Sequence, residues 1–347
     1  MKAPAARPNR LPPFTVPPSV MPWDIHHRKG LWLPQVGWWL DAQARAERSF
    51  VSHAHSDHIA RHREVLCTAA TARLLHARLP GRRAETVLPF GRTHALEFGV
   101  TATLHPAGHI LGSSQILLEH EDHGSLLYTG DFKLRPGLAA ETCATPAADT
   151  LIMETTFGLP RYVFPPEAET IARLIAFCQQ AVADGATPVL LCYSLGKSQE
   201  VLRALAPAGL PVMLHAETLR LTRICEQFGL VFPAYREFDA DTAAGHVVIC
   251  PPFSTGLLSR IPSARTAAVT GWALDAGATY RLRTDAAFPL SDHAGYDDLL
   301  TFVERVRPRR ILTLHGFAKE FAQTLRELGW DALAIGQGNQ LEFKLSG

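Results

Sequence analysis

The stretch FVSHAHSDHIARH, residues 50–62, places four side chains of metal-ligand type within six positions: His53, His55, Asp57 and His58. Its apolar start predicts a β-strand that ends near His53, so these side chains lie on the loop that leaves the strand. Three imidazoles and a carboxylate on so short a loop are too crowded for one tetrahedral ion. The stretch therefore predicts a metal centre in which two neighbouring ions share the ligands.

Three more residues of ligand type follow apolar segments far downstream. They are His109 in HPAGHILGSS, Asp131 in LLYTGDFKL and His315 in LTLHGF. Two ions need more ligands than the first stretch offers, and we expect these residues at predicted strand ends to supply them, with Asp131 placed to bridge. His62, four residues after His58, is interpreted as solvated or as a residue that contacts the ligands without binding a metal itself.

The composition is that of an ordinary globular protein, with 47% hydrophobic and 19% charged residues among 347. A formal net charge of +1 gives no overall attraction for nucleic acid, so such binding would need a local groove or bound metal ions. The six cysteines are scattered without a CxxC pair, which favours free thiols and a reducing, cytoplasmic location. No segment has the apolar length that predicts a signal peptide or a membrane span.

The sequence divides into four segments that differ in their pattern of residues. Residues 1–22 are rich in proline and predict an extended arm. Residues 23–165 contain short strand-like runs, among which SQILLEHEDHGSLLYTGD predicts a β-hairpin. Between residues 166 and 285 apolar strands alternate with amphipathic helices, which indicates a parallel sheet covered by helices. Residues 286–347 add a loop, a helix, a strand and a further helix, so the whole chain is predicted to be α/β.

The ligand set resembles that of the metallo-β-lactamase superfamily, in which metals lie at the carboxyl ends of two facing sheets. The resemblance implies an αββα sandwich built from residues 23–165 and 286–347. It also implies an orienting carboxylate at Asp41, in WWLDAQ, which matches the family's first motif. The implied ligands are His53, His55 and His109 for one ion, Asp57, His58 and His315 for the other, and Asp131 between them.

Three later motifs resemble those of the β-CASP branch, whose members process nucleic acids. LIMETTFG presents Glu154, FPLSDHAGYDD presents His293 and LTLHGF presents His315, in the order of that branch's motifs A, B and C. CYSLGKSQEVL resembles the strand, turn and helix of the branch's inserted cap. The resemblance therefore implies a βαβ cap domain at residues 166–285 that interrupts the sandwich.

A closer resemblance, carried by HPAGHILGSSQ, TGDFKL, METTFGLPRYVFPP and YSLGKSQE, is to the bacterial ligase-associated DNA exonucleases. It implies a DNA-repair exonuclease that acts on single strands from the 5′ end, uses two divalent ions (Zn²⁺ or Mn²⁺), and is functionally associated with DNA ligase and helicase. That group also resembles the messenger RNA 3′-end cleavage subunit, and a histidine at motif C is typical of the RNA-processing members. A β-CASP ribonuclease is therefore the alternative, and a small-molecule metallohydrolase is a more remote one.

The predicted catalytic group consists of His293, Glu154, Asp57 and Asp131. Because His293 is not needed to complete the ligand sets, we expect it to protonate the leaving oxygen, with Glu154 orienting it and raising its pKa. Direct metal ligation by His293 is the alternative. The three other members of the group would hold or orient the ions and the acid.

The turn SLGKSQ predicts a weak substrate contact, because Ser194, Lys197 and Ser198 lie at a helix N-terminus whose free N–H groups favour a phosphate. A simple helix cap with an exposed lysine is the alternative. Two roles, base stacking or packing between domains, are open for the aromatic residues that follow motif A: Phe157, Tyr162 and Phe164.

Overall fold

The computed structural model of the protein describes residues 21–252, 254–261 and 263–336. The predicted arm of residues 1–22 therefore lies almost entirely outside the described residues. Within these ranges, no helix combines the length and the apolar character that crossing a membrane requires.

The described residues form nineteen β-strands and eight α-helices. In chain order the strands are β1 (His26–His27), β2 (Leu31–Leu33), β3 (Trp38–Leu40), β4 (Arg48–Phe50), β5 (Glu64–Cys67), β6 (Ala84–Val87), β7 (Thr93–Ala95), β8 (Thr101–Pro106), β9 (Ser114–His120), β10 (Gly124–Tyr128), β11 (Thr150–Glu154), β12 (Thr187–Leu191), β13 (Val212–Leu214), β14 (Tyr235–Glu237), β15 (Val247–Cys250), β16 (Ala264–Val269), β17 (Ala286–Phe288), β18 (Arg310–Leu314) and β19 (Ala332–Ala334). The helices are α1 (Ala69–Arg78), α2 (Glu167–Ala183), α3 (Lys197–Ala204), α4 (Ala216–Gln227), α5 (Thr255–Leu258), α6 (Ala278–Leu282), α7 (Tyr296–Val306) and α8 (Ala318–Glu327).

Two sheets face each other across one apolar core. The first sheet has the strand order β1-β2-β3-β4-β5-β6, and the second has the order β19-β18-β11-β10-β9-β8-β7. Leu40 and Phe50 of the first sheet share a buried cluster with Leu104, Ile116 and other apolar residues of the second. Because one face of each sheet is apolar, burying both against each other removes the most apolar surface from water.

Helices cover the outer faces of this sandwich. The outer face of the second sheet packs on α7 and α8 through a cluster that contains Phe302 and Phe321. On the first sheet, Val65 and Cys67 pack against Ala72 and Leu75 of α1. The order of layers is helix, sheet, sheet, helix, which confirms the predicted α/β sandwich. The predicted hairpin is also confirmed, because β9 and β10 pair antiparallel with Leu126 opposite Leu118.

The third sheet is wholly parallel and has the order β14-β13-β15-β12-β16-β17. We call this sheet, with its helices α2 to α6, the inserted layer. Its strands read as nearly continuous apolar runs because both faces are covered, as in Val247–Cys250, where every residue is buried. The strand β17 pairs with β16, so this parallel sheet includes residues 286–288.

The aromatic residues after motif A pack between the layers. Phe157 and Tyr162 are almost fully buried, and their rings contact Trp272 of the inserted layer at centroid distances of 4.8 and 5.7 Å. Phe164 belongs to the same cluster. Of the two roles open from the sequence, the structure therefore shows packing at the seam for these side chains.

Candidate metal centre

Every predicted ligand lies just beyond the carboxyl end of a strand. His53 follows β4, while His109, Asp131 and His315 follow β8, β10 and β18. Strands β10, β11 and β18 run parallel, and β8 runs in the same direction because each of β8 and β10 is antiparallel to β9. The strand ends therefore meet at one edge of the second sheet, opposite the end of β4, and their loops converge there.

Three imidazole rings converge at this edge. Nδ1 of His55 lies 3.1 Å from Nε2 of His53 and 3.0 Å from Nε2 of His109. The second nitrogen of each ring is hydrogen bonded on the outer side. In the order His53, His55 and His109, these partners are Ser52 Oγ at 2.9 Å, the Leu195 carbonyl at 3.1 Å and the Asp292 carbonyl at 2.7 Å.

The outer partners determine which nitrogen carries the proton. A carbonyl oxygen can only accept, so Nε2 of His55 and Nδ1 of His109 are the protonated nitrogens. Ser52 Oγ donates to Asp41 at 2.6 Å, so it accepts from Nδ1 of His53. The three inner nitrogens are therefore lone pairs that face one another, an arrangement that a shared cation satisfies.

The rings are also held neutral. Burial lowers the pKa of His53 well below its usual range, and the neighbouring His58 and His109 lower it further. Burial, followed by the effect of His109, lowers the pKa of His55 to about 3. Burial and then His293 lower the pKa of His109. Neutral imidazole is the form that binds a metal ion, so no proton has to leave these rings first.

Asp131 provides the fourth donor. Its Oδ2 lies 3.6 Å from Nε2 of His53 and 3.9 Å from Nε2 of His109. Together with His55, these residues offer ligand atoms that all lie within 4.8 Å of one another. Nitrogen ligands at ~2.0–2.1 Å from a tetrahedral zinc ion are about 3.3 Å apart, close to the spacing seen here. The four residues therefore fit one divalent ion.

The remaining predicted ligands gather around His58. Nε2 of His58 lies 3.3 Å from Oδ2 of Asp131 and 3.8 Å from Oδ2 of Asp57, and its ring centroid is 5.8 Å from that of His315. Asp57 and His315 are exposed, whereas His58 is buried. Among the described residues, the tightest ligand groups include neither Asp57 nor His315. This half of the centre is therefore more open than the half at His53.

Asp41 forms hydrogen bonds with residues of both halves of the centre. Its Oδ2 accepts hydrogen bonds from Ser52 Oγ, from Nδ1 of His58 at 2.9 Å and from the Tyr128 hydroxyl at 2.8 Å, and its Oδ1 accepts from the Ser52 amide at 2.7 Å. The residue has a φ of 46°, an uncommon conformation outside glycine that these four contacts hold in place. Because Nδ1 of His58 donates to Asp41, its Nε2 faces Asp131.

His293 and Glu154 form a pair beside this centre. Nδ1 of His293 lies 2.7 Å from Oε1 of Glu154, and Glu154 is itself fixed by the Phe132 and Thr156 amides at 3.1 Å each. The His293 ring contacts that of His109, with centroids 4.6 Å apart. Burial lowers the pKa of His293, but the Glu154 carboxylate and its hydrogen bond raise it to about 10.

The predicted phosphate contacts are arranged differently from the expectation. Lys197 is 1% exposed and its ammonium group is paired with Glu200 at 3.3 Å and Asp292 at 3.6 Å. Ser198 is fully buried, and its hydroxyl donates to the Tyr193 carbonyl at 2.7 Å. Lys197 and Ser198 therefore belong to the packing between layers, and the side chain of only Ser194, which is half-buried, has access to a ligand.

His62 is not one of the converging ligands. It is buried, and its Nδ1 accepts from the Ala46 amide at 3.2 Å. Sequence reasoning missed Ser52, Tyr128 and Asp292, which orient the ligand residues. Ser52 and Asp292 could have been found by their position directly before a ligand-type histidine, whereas the Leu195 carbonyl carries no signal in the sequence.

The fold and this site together define a protein of the metallo-β-lactamase class, with helices outside two facing sheets and a His/Asp centre at their carboxyl edge. Residues 281–335 match a domain family described as "Zn-dependent metallo-hydrolase RNA specificity domain". A solved structure from Enterococcus faecalis V583, described as a protein of unknown function, shares the fold with a TM-score of 0.57 at 14% identity, covering 84% of this chain and 79% of that one.

Two curated relatives extend this likeness. A "Probable DNA ligase" of Opitutus terrae is 63% identical over 325 residues, which is 93% of this chain and 32% of that protein. The "5' exonuclease Apollo" of Rattus norvegicus is 29% identical over 80% of this chain and 52% of its own length. This chain thus spans about a third and about half of the two relatives. Together with the fold, these likenesses support the resemblance to the β-CASP branch of the metallo-β-lactamase superfamily.

Proposed function

We propose that this chain is a metal-dependent nuclease that trims single-stranded DNA from the 5′ end. The observation that carries the proposal is the convergence of three neutral imidazoles and Asp131 directly beside the His293–Glu154 pair. The first set supplies a site for a cation, and the second supplies a proton. Both assist hydrolysis of a phosphodiester, because negative charge develops on the phosphoryl group and on the leaving oxygen.

The proposed ligand sets follow from the contacts. His53, His55 and His109 would hold one divalent ion, and Asp131 would contribute to it and to a second ion. The second ion would be completed by Asp57, His58 and His315. Both nitrogen and carboxylate donors occur in these sets, and such sets accept Zn²⁺ or Mn²⁺. When bound, the ions supply Lewis-acid stabilisation of the charge that develops on the phosphate.

The roles of the side chains follow from their protonation. His293 carries a proton at neutral pH because its pKa is raised to about 10, after burial is offset by Glu154. Nδ1 is engaged with Glu154, so Nε2 is the nitrogen that donates to the leaving oxygen. Burial raises the pKa of Asp131, but His58 lowers it well below the usual range, so this residue is a carboxylate. The products would carry a 5′-phosphate and a 3′-hydroxyl.

DNA is the proposed substrate because of the two relatives. One is named a DNA ligase and one a 5′ exonuclease. A ribonuclease is the second candidate, since the family that matches residues 281–335 is described by RNA specificity. The 63% identity to part of a "Probable DNA ligase" also supports a functional association with DNA ligation, in which the nuclease prepares ends for joining. Association with a helicase rests on the family resemblance alone.

The test uses end-labelled single-stranded DNA and an RNA of the same sequence, incubated with the protein and either Zn²⁺ or Mn²⁺. Stepwise shortening from the 5′ end of DNA is expected. Asp131→Ala should abolish it and His293→Ala should slow it by at least about 100-fold, while His246→Ala, which changes a half-buried histidine of the inserted layer, should leave it unchanged. Cleavage of RNA alone would establish the second candidate. Full activity of Asp131→Ala would exclude the proposed centre.

A further inference from the structure

Five charged side chains, all buried except the partly exposed Glu167, form a continuous ion chain between the layers. Lys133 Nζ lies 2.8 Å from Glu167 Oε1 and 2.7 Å from Glu200 Oε1. Lys197 Nζ lies 3.3 Å from Glu200 Oε2 and 3.6 Å from Asp292 Oδ1. Both lysines are at most 3% exposed, so each ammonium group depends on its carboxylates for the stabilisation that water would otherwise give.

The ion chain connects backbone segments that carry the candidate centre. Lys133 is two residues after Asp131, in the loop that leaves β10. Asp292 directly precedes His293, and its carbonyl oxygen accepts from Nδ1 of His109 at 2.7 Å. Through Lys133 the ion chain therefore holds the loop of the proposed shared carboxylate, and through Asp292 it holds the segment that orients a proposed ligand.

The inserted layer also contacts the centre directly, through the turn before α3. The Leu195 carbonyl accepts from Nε2 of His55 at 3.1 Å. The next residue, Gly196, has a φ of 84°, and a Cβ there would lie 2.2 Å from Cγ2 of Ile110. Apolar residues surround this contact, because Leu195 shares a buried cluster with Ala54 and Ile110. These two residues directly follow the proposed ligands His53 and His109 in the sequence. Lys197 begins α3, so the ion chain anchors this turn.

These contacts give the inserted layer, together with the segment that follows it, control over two imidazoles. The Leu195 carbonyl fixes the proton of His55 on Nε2, and the Asp292 carbonyl fixes the proton of His109 on Nδ1. Without these acceptors either ring could rotate or change its tautomer. Its inner lone pair would then no longer face the inner nitrogens of the other two rings. Outer hydrogen bonds of this kind set the orientation and the basicity of metal ligands.

We propose that Lys197 is a positioning residue through which docking of the inserted layer and metal binding at His53, His55 and His109 are thermodynamically linked. The inference rests on the metal centre of the proposed function. The ion chain holds three carboxylates and two ammonium groups, so it carries one net negative charge, and Asp292 at one of its ends has a carboxylate oxygen within 4.8 Å of ring nitrogens of His109 and His293. A bound cation stabilises that charge, and the docked layer in turn keeps the ligand set assembled. Linkage of this type is reciprocal.

The first experiment measures the affinity of the full-length protein for Zn²⁺ by competition with a chromophoric chelator. Lys197→Met keeps the aliphatic stem and removes the charge, and it is expected to weaken zinc binding by about tenfold. Lys197→Arg should restore most of the affinity. Arg220→Met is the matched control, because Arg220 is an exposed cation that joins the inserted layer to the Ala77 carbonyl of α1 and takes no part in the ion chain.

The second experiment follows hydrogen exchange of residues 193–200 with and without Zn²⁺. Zinc should slow exchange there in the wild-type protein and in Arg220→Met, but much less in Lys197→Met. If Lys197→Met does not fold, Glu200→Gln tests the same chain, since it keeps the shape of the side chain and removes the charge shared by both lysines.

The outcomes separate this inference from the proposed function. Wild-type affinity for zinc in Lys197→Met, or exchange at residues 193–200 that zinc does not alter, overturns the linkage and leaves the nuclease proposal intact. Zinc binding with the expected linkage but without cleavage of any nucleic acid overturns only the proposed function. A wild-type protein that binds neither Zn²⁺ nor Mn²⁺ overturns both.

Discussion

Nδ1 of His293 lies 2.7 Å from Oε1 of Glu154, although 138 residues separate the two in the chain. The contact joins the end of β11 to the segment by which the chain returns from the inserted layer. It leaves Nε2 of His293 as the nitrogen that can face a substrate, and it places a protonated imidazole beside the ring of His109.

Removing the imidazole should therefore remove the acid without removing the metal. His293→Ala is expected to lower kcat by about 10²–10⁴-fold, the usual contribution of a positioned acid. Zinc content, measured by elemental analysis, should stay at the wild-type value. Loss of zinc together with activity would instead identify His293 as a metal ligand, the alternative role left open by its sequence motif.

The charge of Glu154 should control the proton on His293. In the metal-free protein, Glu154→Gln is expected to bring the His293 pKa down from about 10, because burial lowers this pKa and the carboxylate is the main opposing influence. The His293 resonance followed by NMR between pH 5 and 11 measures this directly. An unchanged titration in Glu154→Gln would contradict the pairing.

The same pair predicts how stability depends on pH in the metal-free protein. Because the folded-state pKa of His293 is raised from 6.5 to about 10, its contribution is fully present below pH 6.5 and is lost as pH rises through about 10. The difference in the free energy of unfolding between wild type and Glu154→Gln should therefore shrink across this range. Urea unfolding at several pH values tests it, and a difference that grows with pH would have the wrong sign.

Asp41 should govern metal affinity through the residues it orients. Asp41→Asn weakens its contacts with Ser52 and His58 while keeping the shape, and it is expected to reduce zinc affinity by about 10–100-fold. Tyr128→Phe removes only the hydroxyl contact at 2.8 Å and should have a smaller effect. Equal effects of the two substitutions would show that Asp41 does not act through the histidine.

The close approach of the inserted layer at Gly196 predicts a large stability effect. Gly196→Ala introduces a Cβ that would lie 2.2 Å from Ile110 and also strains a positive φ, so it should cost about 1–3 kcal/mol or more of unfolding free energy. Gly185→Ala is the matched control, because Gly185 also has a positive φ but has nothing within 4 Å of its added Cβ. Denaturant unfolding of both variants separates the steric contact from the backbone strain.

Much of the site could be predicted from the residue types themselves. The stretch from His53 to His58 concentrates donors that only a metal centre commonly needs, and the later residues His109, Asp131 and His315 each follow an apolar strand. Strand ends can be read from local patterns because a buried strand is a short apolar run with a polar residue at its end. The alternation of apolar strands and amphipathic helices gave the parallel inserted sheet, whereas the sandwich followed from the family resemblance.

The packing of the layers decided what those residues do. Lys197 looks like an exposed cation in SLGKSQ, but its burial depends on where α3 lies against the return segment, and local sequence does not contain that information. The same holds for the Leu195 and Asp292 carbonyls, since every residue has a carbonyl and only the tertiary fold selects which one meets an imidazole. The sequence by itself determined the candidate donors of the proposed metal centre. The tertiary structure decided their protonation and orientation, because both depend on contacts between segments that are distant in the chain.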